Sequence, residues 1–575
     1  VKLSGKPMDM LQFPKGYLVW AEPGEDPLWS DDEEQYLPAS WFKKRKSGDV
    51  LDDYYRARLP HPIHFNAKGE WSLEANPARY PFAGWYMGAK LLVDPTSGII
   101  YYDDRASEIG KLMRLGNEGR STATTILSYS VINGMAAQHV EKDKRRLLSF
   151  TDNRQDASLQ SGHFNDFITT ARLSAAIHAA LLAAPGNSLS VELIAEAVAK
   201  QLRLPEDEYA VNPSPDPTWP DPDNERALKD YLLLRIIYDL KRGWRFNLPN
   251  LEQCALLDID YERLDQYAAQ NERWANLPLL AMMNAAERAN FLRQILTFFR
   301  TNYAITYHKI DRDRATTEDF LNEKLDREKL WSMDQDEHIE VPSYMAYEKA
   351  EEKAKRIFTR SIGFLSGVGR YVKRKHRDKG LPTMTGADYL EFIIQLCEKL
   401  HAGHFLAKEE LNTKPAKVTG YRLRLDKVLW KLGDGEKVQV DEVRQYRYKE
   451  HASDPNRFFQ RLYREGLPAG QGVVGREHTA QIDAAEREKR EREFRSGKVN
   501  TLFCSPTMEL GIDIAELNVV HMRNVPPNAA NYTQRSGRAG RSGQTAVVFT
   551  YCSSQSPHDR NYFERRAQLV SGSIT

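Results

Sequence analysis

The strongest constraint on the fold is a 24-residue stretch from Lys144, "KRRLLSFTDNRQDASLQSGHFNDF". It reads as a charged lead-in, a short apolar strand from Leu147 to Phe150, a polar turn and then a long helix. Strand, turn and helix in that order is the unit from which parallel α/β sheets are built. Between about 185 and 470 the rhythm is interrupted. It returns at "GVVGREHTAQIDAAEREKREREF", followed by the strands "NTLFCS", "NVVHMRNV" and "TAVVFTYC". The expectation is one split α/β domain whose sheet residues come from 111–185 and 470–575, with a largely helical insertion between them.

The remaining regions read more simply. Residues 1–110 hold short aromatic-rich runs such as "GYLVWAEP" and "GAKLLVDPTSGIIYYDD" between Pro, Gly and acidic turns, the pattern of a small β-rich region. At Gly116 a glycine-bearing turn opens a helix, "GNEGRSTATTIL". Residues 186–387 are expected to be mostly helical, apart from "PEDEYAVNPSPDPTWPDPDNER", whose prolines and acids make it an exposed loop. Residues 388–469 suggest a winged-helix-like part, with "YRLRLDKVLWKLGDGEKVQVDEV" as a hairpin turning at Gly433 to Gly435.

Composition excludes more than it assigns. With 575 residues, 41% hydrophobic and 28% charged, the chain can bury several cores. Its 81 Lys and Arg against 80 Asp and Glu leave the net charge uninformative about nucleic acid. The four cysteines have no CxxC spacing, so neither a thiolate metal site nor a disulfide framework is indicated, and a reducing, cytoplasmic setting is expected. There is no apolar run long enough to span a bilayer.

Chemistry shows most clearly in "NYTQRSGRAGRSGQ", Asn531 to Gln544, which places Gln534, Arg535, Arg538 and Arg541 on a short glycine-relieved segment. The planar guanidinium forks suit phosphoryl oxygens, because they give bidentate, permanently charged hydrogen bonds. Just upstream, "CSPTMELGIDIAELNVVHMRNVP" puts Thr507, Glu509, Gly511 and Asp513 at a strand-to-loop transition, the usual place for functional residues on open α/β sheets.

These two segments resemble motifs V and VI of superfamily 2 helicases: Gln534 to Arg541 match the QRxGRxGR pattern without departure, and "LLSFTDNRQDAS" resembles motif IV. The stretches "FTDNRQDASLQSGHFNDF" and "GNEGRSTATTIL" look more narrowly like bacterial helicases associated with DUF1998-type proteins, among them the large helicase subunit of DISARM anti-phage systems. The resemblance implies the second RecA-like lobe of an ATP-dependent DNA helicase or translocase in antiviral defence. Its catalytic residues would be Arg541 as arginine finger, Arg538 beside it on the phosphates, and Gln534 near the attacking water. Asp513, Gly511 and Arg535 would serve the nucleotide side. Thr507, Thr151 and Arg154 would contact the sugar-phosphate backbone of a single strand or duplex junction, and a DUF1998-type protein is the implied partner.

What departs from that pattern is the missing GxxxxGK[ST] loop and acidic box that would hold ATP and Mg²⁺. The string "DQDEHIE" at 334–340 lacks a preceding strand, so it is set aside. Expected instead is a first lobe preceding Val1, with ATP and Mg²⁺ bound mainly there; the rival is a non-hydrolysing nucleic-acid-binding scaffold. Two weaker signals concern nucleic acid. The basic run Arg370, Lys373, Arg374, Lys375 and Arg377 could follow a backbone, with Arg374 and Lys375 the chosen contacts. Trp41 and Phe42 precede four basic residues as a stacking candidate. His163 is assigned no role, and no metal cluster is seen.

Overall fold

The computed structural model describes residues 16–21, 37, 41–45, 48–94, 99–101, 118–242, 248–347, 351–352, 357–364, 366–412, 417–443, 455–467, 472–505, 517–540, 545–553 and 556–571. The split sheet exists. Its five strands run in the spatial order Gly475–His478, Thr501–Cys504, Leu147–Phe150, Val519–Met522, Val547–Thr550. All four pairings are parallel, with Leu147 set between Thr501 and Val519. The strand from the first half of the chain is therefore the central one. Every residue of the three inner strands is buried, as expected of a parallel sheet covered on both faces.

The two faces are packed differently. Leu148, Phe150, Leu502, Cys504, Val520 and Met522 form a compact core with Phe494. The opposite face carries Ser149, Phe503 and His521 and lies under the 30-residue helix Arg154–Ala183, where Phe164 meets Phe503 at a ring distance of 5.8 Å. Asn165 of that helix clamps the edge strand: its Nδ2 donates to the Gly475 carbonyl at 2.9 Å, and its Oδ1 accepts from the Gly475 amide at 2.8 Å. Gly475 is needed for this approach, since a Cβ there would lie 2.9 Å from the Phe164 ring.

The long helix continues into the insertion, where Ala171, Ile177 and Leu181 join a large apolar core with Val198, Leu232, Leu292 and Trp430. Helices dominate this region, with Pro222–Arg242, Ala285–Thr301 and Gly386–Ala402 the longest described. It also contains two sheets that the helical expectation did not include. One is the antiparallel set Ser188–Ser190, Val428–Leu432 and Leu257–Tyr261. The other is a mixed six-stranded sheet centred on Lys417–Arg424.

The expected hairpin around Gly433 is not formed. Lys417–Arg424 pairs with Leu406–Asn412, and the following strand Val428–Leu432 departs to the first of those sheets. The 3₁₀ turn Leu425–Lys427 and the Arg424–Asp426 ion pair redirect the chain between them. Gly433 serves a close approach instead, because a Cβ would lie 2.4 Å from the Ala255 carbonyl.

The N-terminal part is β-rich, with a four-stranded antiparallel sheet in the order Gly16–Ala21, Phe82–Gly88, His61–Phe65, Trp71–Ser72. Trp41 belongs to its neighbouring core: it is 1% exposed and stacked on Tyr55 at 4.8 Å. A ring so enclosed cannot stack on a nucleobase, which corrects the sequence expectation. Cys254, Cys397 and Cys504 are buried free thiols. Among the described residues no helix is long and apolar enough to cross a membrane.

Candidate functional site

Parallel strands deliver their following loops to one edge of a sheet, which is where such sheets bind ligands. Here that edge begins after His478, Cys504, Phe150, Met522 and Thr550. The ladder runs one step past the strands: the Thr151 amide donates to the Cys504 carbonyl at 2.9 Å, and the Arg523 amide to the Phe150 carbonyl at 2.9 Å. The loops are thus held in register where they leave the sheet.

Thr151 is wholly buried. Its hydroxyl donates to the Asn153 carbonyl at 2.8 Å and lies 3.2 Å from the Cys504 carbonyl. It shapes the turn and is not presented to a phosphate, contrary to its expected role. Asn153 then caps the long helix, accepting from the Asp156 amide at 2.8 Å. Arg154, in the first turn, is exposed. A cation there opposes the helix dipole by about 0.3–1 kcal/mol, so helix stability does not account for it.

A polar network that sequence reasoning did not find lies behind this turn. Arg523, 7% exposed, donates to Asp156 at 2.8 Å, to Gln160 at 3.2 Å and to the Ser121 hydroxyl at 3.3 Å. Gln160 in turn donates to the Ser121 carbonyl and to Thr125 Oγ1, and Thr125 Oγ1 lies 2.9 Å from His163 Nδ1. Burial pushes His163 below the usual histidine range, and the Arg523 charge adds to it. The helices Glu118–Ala137 and Arg154–Ala183 are in this way tied to the loop after Val519–Met522. The only signal in the sequence was a polar pair, Arg523 and Asn524, at the end of an apolar strand. Asn524 is 6% exposed, and its Oδ1 accepts no hydrogen bond among the described residues.

Beneath the long helix, Ser149 Oγ and His521 Nδ1 are 2.9 Å apart, joining the central strand to its neighbour. Burial pulls His521 down to about 3, so the ring is neutral and serves as a strand-to-strand link. His478 is likewise lowered by burial, against the opposing effect of its Nε2 hydrogen bond to the Glu491 carboxylate at 3.0 Å.

The arginine-rich segment begins in the helix Ala529–Ser536, capped by Asn528. Gln534 is exposed and Arg538 half-buried. Burial raises the Cys504 thiol, while the Arg538 charge acts on it in the opposite direction. Arg535 turns inward: it is 2% exposed, with its guanidinium 5.5 Å from the Phe150 ring centre. That placement makes it part of the packing of the segment, where the sequence resemblance implied a nucleotide-binding residue. The Gly540 amide donates to the Leu517 carbonyl at 3.1 Å, so the arginine segment is fastened to the chain just before the strand Val519–Met522. Gly540 has φ +72°, a left-handed conformation in which glycine is strain-free.

Thr507, Glu509, Gly511, Asp513 and Arg541 lie outside the described residues. Arg374 and Lys375 are in the insertion helix Gly367–Asp378, where Arg374 donates to the Glu442 carbonyl and Lys375 pairs with the Glu442 carboxylate at 2.7 Å. Both charges are engaged within the protein. The "DQDEHIE" string is irregular structure held by Arg235–Glu337 and Lys241–Glu340 pairs, which agrees with setting it aside. No group of His, Cys, Asp and Glu among the described residues is arranged to hold a metal.

Comparison with known proteins places these observations. Residues 454–543 match the helicase conserved C-terminal domain. The chain is 40% identical over 111 residues to the Druantia protein DruE of Escherichia coli, covering 17% of this chain and 6% of that protein. It is 39% identical over 87 residues to the ATP-dependent helicase HRQ1 of Saccharomyces cerevisiae, covering 15% and 8%. Over 69 residues it is 47% identical to the ATP-dependent RNA helicase DHH1 of Kluyveromyces lactis, covering 12% and 13%. A crystal structure of the DUF1998 helicase MrfA bound to DNA and AMPPNP is 25% identical over 19% of this chain and 15% of that one, with a TM-score of 0.17. The chain therefore spans only a small part of the length of these relatives. The matched residues 454–543 include the strands Gly475–His478, Thr501–Cys504 and Val519–Met522, so this part of the split parallel sheet resembles a helicase C-terminal domain.

Proposed function

We propose that this chain supplies the second motor lobe of an ATP-dependent DNA helicase or translocase acting in cytoplasmic anti-phage defence, of the DISARM kind. The observation that carries the reading is the match of residues 454–543 to the helicase conserved C-terminal domain, a span that holds the whole arginine-bearing pattern from Gln534 to Arg541.

The residues fit a polyphosphate. Gln534 is exposed and Arg538 half-buried on one short segment, and Arg541 follows Gly540 directly in the sequence. Arg541 and Arg538 would place fixed positive charge against phosphate oxygens, and Gln534 would orient water. Preorganised charge of this type dominates phosphoryl-transfer catalysis. ATP with Mg²⁺, were it held mainly by a first lobe, would supply the phosphoryl group and the energy of the cycle. Asp513 and Gly511 would serve the nucleotide edge. Thr507 and the exposed Arg154 would hold the backbone of a single-stranded tract or junction without reading its sequence. A DUF1998-type protein is the proposed partner.

In the complete protein, Arg541→Ala should abolish DNA-stimulated ATP turnover while leaving DNA affinity largely intact. Undiminished turnover removes the arginine-finger assignment. Comparing single-stranded DNA with RNA as stimulant in the same assay tests the choice of nucleic acid.

A further inference from the structure

The acidic, proline-rich stretch that the sequence marks only as an exposed loop is a built object. From Glu206 to Glu225 it carries seven carboxylates and no lysine or arginine. Both carboxylate oxygens of Glu206 are used, Oε2 by the Ser214 amide and Oε1 by the Asp221 amide at 2.7 Å, which pins the two ends of the loop together. Inside it, the Ser214 hydroxyl donates to the Trp219 carbonyl at 2.8 Å and the Trp219 amide to the Asp216 carbonyl at 3.0 Å. Thr218 Oγ1 donates to the Asp216 carboxylate at 2.6 Å. The base is anchored by buried Tyr209, Ala210 and Asn224, the last donating to the Asn212 carbonyl at 3.0 Å. At the tip of this scaffold Trp219 is 77% exposed, the most exposed of the large apolar side chains described.

Single exposed hydrophobic residues are ordinary. This one differs in being held out on a stiff support. Prolines at 213, 215, 217, 220 and 222 restrict the backbone, and the hydrogen bonds above close it. Little conformational entropy is left to lose on docking, which is the main cost a presented side chain meets. A rigid tryptophan is also the residue type that most often anchors an interface.

We propose that the Trp219 loop is a docking knob for a protein partner that offers an apolar cleft with a rim of lysine or arginine. Charge selects among the occupants. Glu208, Asp223 and Glu225 are paired with Arg172, Arg226 and Lys229, and the remaining Glu206, Asp207, Asp216 and Asp221 still present net negative charge to a phosphate backbone, which argues against base stacking by Trp219. A symmetric pairing of two copies through this loop would bring like charge against like charge. A cationic partner satisfies the tryptophan and the carboxylates together. The inference does not depend on the motor reading.

The test is selection of a displayed random-peptide library on the 575-residue chain, repeated with Trp219→Ala, Trp219→Phe and the charge reversal Asp207→Lys/Asp223→Lys, all at exposed positions. The expected pool is rich in Lys or Arg beside a bulky apolar residue. Its affinity should fall about thirtyfold with Trp219→Ala, only a few-fold with Trp219→Phe, and about tenfold with the charge reversal, with weaker salt dependence in the last. A pool indifferent to Trp219→Ala, a pool without cationic character, or no enrichment overturns the proposal. So does sedimentation showing a dimer that Trp219→Ala dissolves, or crosslinking from position 219 to single-stranded DNA.

Discussion

Arg523 offers the sharpest test of how the lobe is held together. Its side chain is 9% exposed against 28% for Asp156, and the two lie 2.8 Å apart. Removing one partner of a buried ion pair costs about 3–5 kcal/mol when the other is stranded. Here Asp156 is partly solvated and keeps a hydrogen bond from Asn153 Nδ2 at 3.1 Å, so Arg523→Met should cost less, about 2–3 kcal/mol. Part of that loss belongs to Gln160, which is 0% exposed and loses the donor to its Oε1. A double-mutant cycle with Asp156→Asn, read by urea unfolding, should return a coupling of about 1–2 kcal/mol. Additivity within about 0.5 kcal/mol refutes the pairing as a source of stability. A second readout separates charge from packing. Since the Arg523 charge adds to burial in lowering His163, its removal should raise the His163 titration midpoint by NMR, and an unmoved midpoint refutes that electrostatic link.

Three further expectations follow from single contacts. Gly540→Ala forces a left-handed Cβ residue at φ +72°, which should lower stability by about 1 kcal/mol while reducing ATP turnover of the complete protein far more; a calorimetric scan beside the ATPase assay checks both. His521 titrates near 3 when folded and near 6.5 when unfolded, so the unfolded state binds the extra proton between those values. Stability from this group is fully present above about pH 6.5 and is lost as pH falls toward 3, by up to about 1.4 kcal/mol per unit; His521→Asn should flatten that part of the stability–pH curve. Glu337→Gln should destabilise the insertion by about 2–4 kcal/mol in denaturant unfolding, because Arg235 is 1% exposed and loses its anionic partner. The same variant should leave ATP turnover per folded molecule unchanged, as befits a carboxylate that is structural.

The lobe was legible because its signals are local and redundant. A short strand of three apolar residues and one serine, a polar turn and a helix defined the central strand at Leu147–Phe150, and the same alternation resumed near Gly475. Motif VI needed no structure, since its spacing alone is distinctive. What failed was reading single residues by type. Thr151 and Arg535 carry the chemistry of ligand contacts, yet burial commits one to a turn and the other to the Phe150 ring. Trp41 beside a basic run resembles a stacking platform, but core packing claimed the ring. Gly433 looked like a hairpin turn because glycine permits turns and close approaches alike, and only the neighbouring Ala255 backbone distinguishes them. Arg523 was invisible because its partners, Ser121, Asp156 and Gln160, are scattered over two helices far upstream.

The placement of the insertion bears on how the lobe assembles. The central strand comes first in the chain, but its partners arrive much later: Thr151 meets Cys504 across 353 positions. Closing a flexible loop of that length costs roughly 5 kcal/mol in chain entropy, before any strand pairing offsets it. The insertion removes most of that cost by folding on the lobe's own helix. Arg154–Ala183 is about 45 Å long, and its first half covers the sheet while its second half lies in the insertion core. The late helix Arg457–Glu465 returns to pack against it, where a Cβ at Gly466 would sit 3.8 Å from Ala175. From that point only a short segment separates the chain from Gly475 and its clamp on Asn165. A folded insertion thus hands the second half of the lobe to the first. The same continuity has a mechanical consequence: a body sharing one helix and one apolar core with the sheet must move with the lobe as a unit. Anything docked on the insertion, at Trp219 or elsewhere, would be carried by whatever motion the lobe performs.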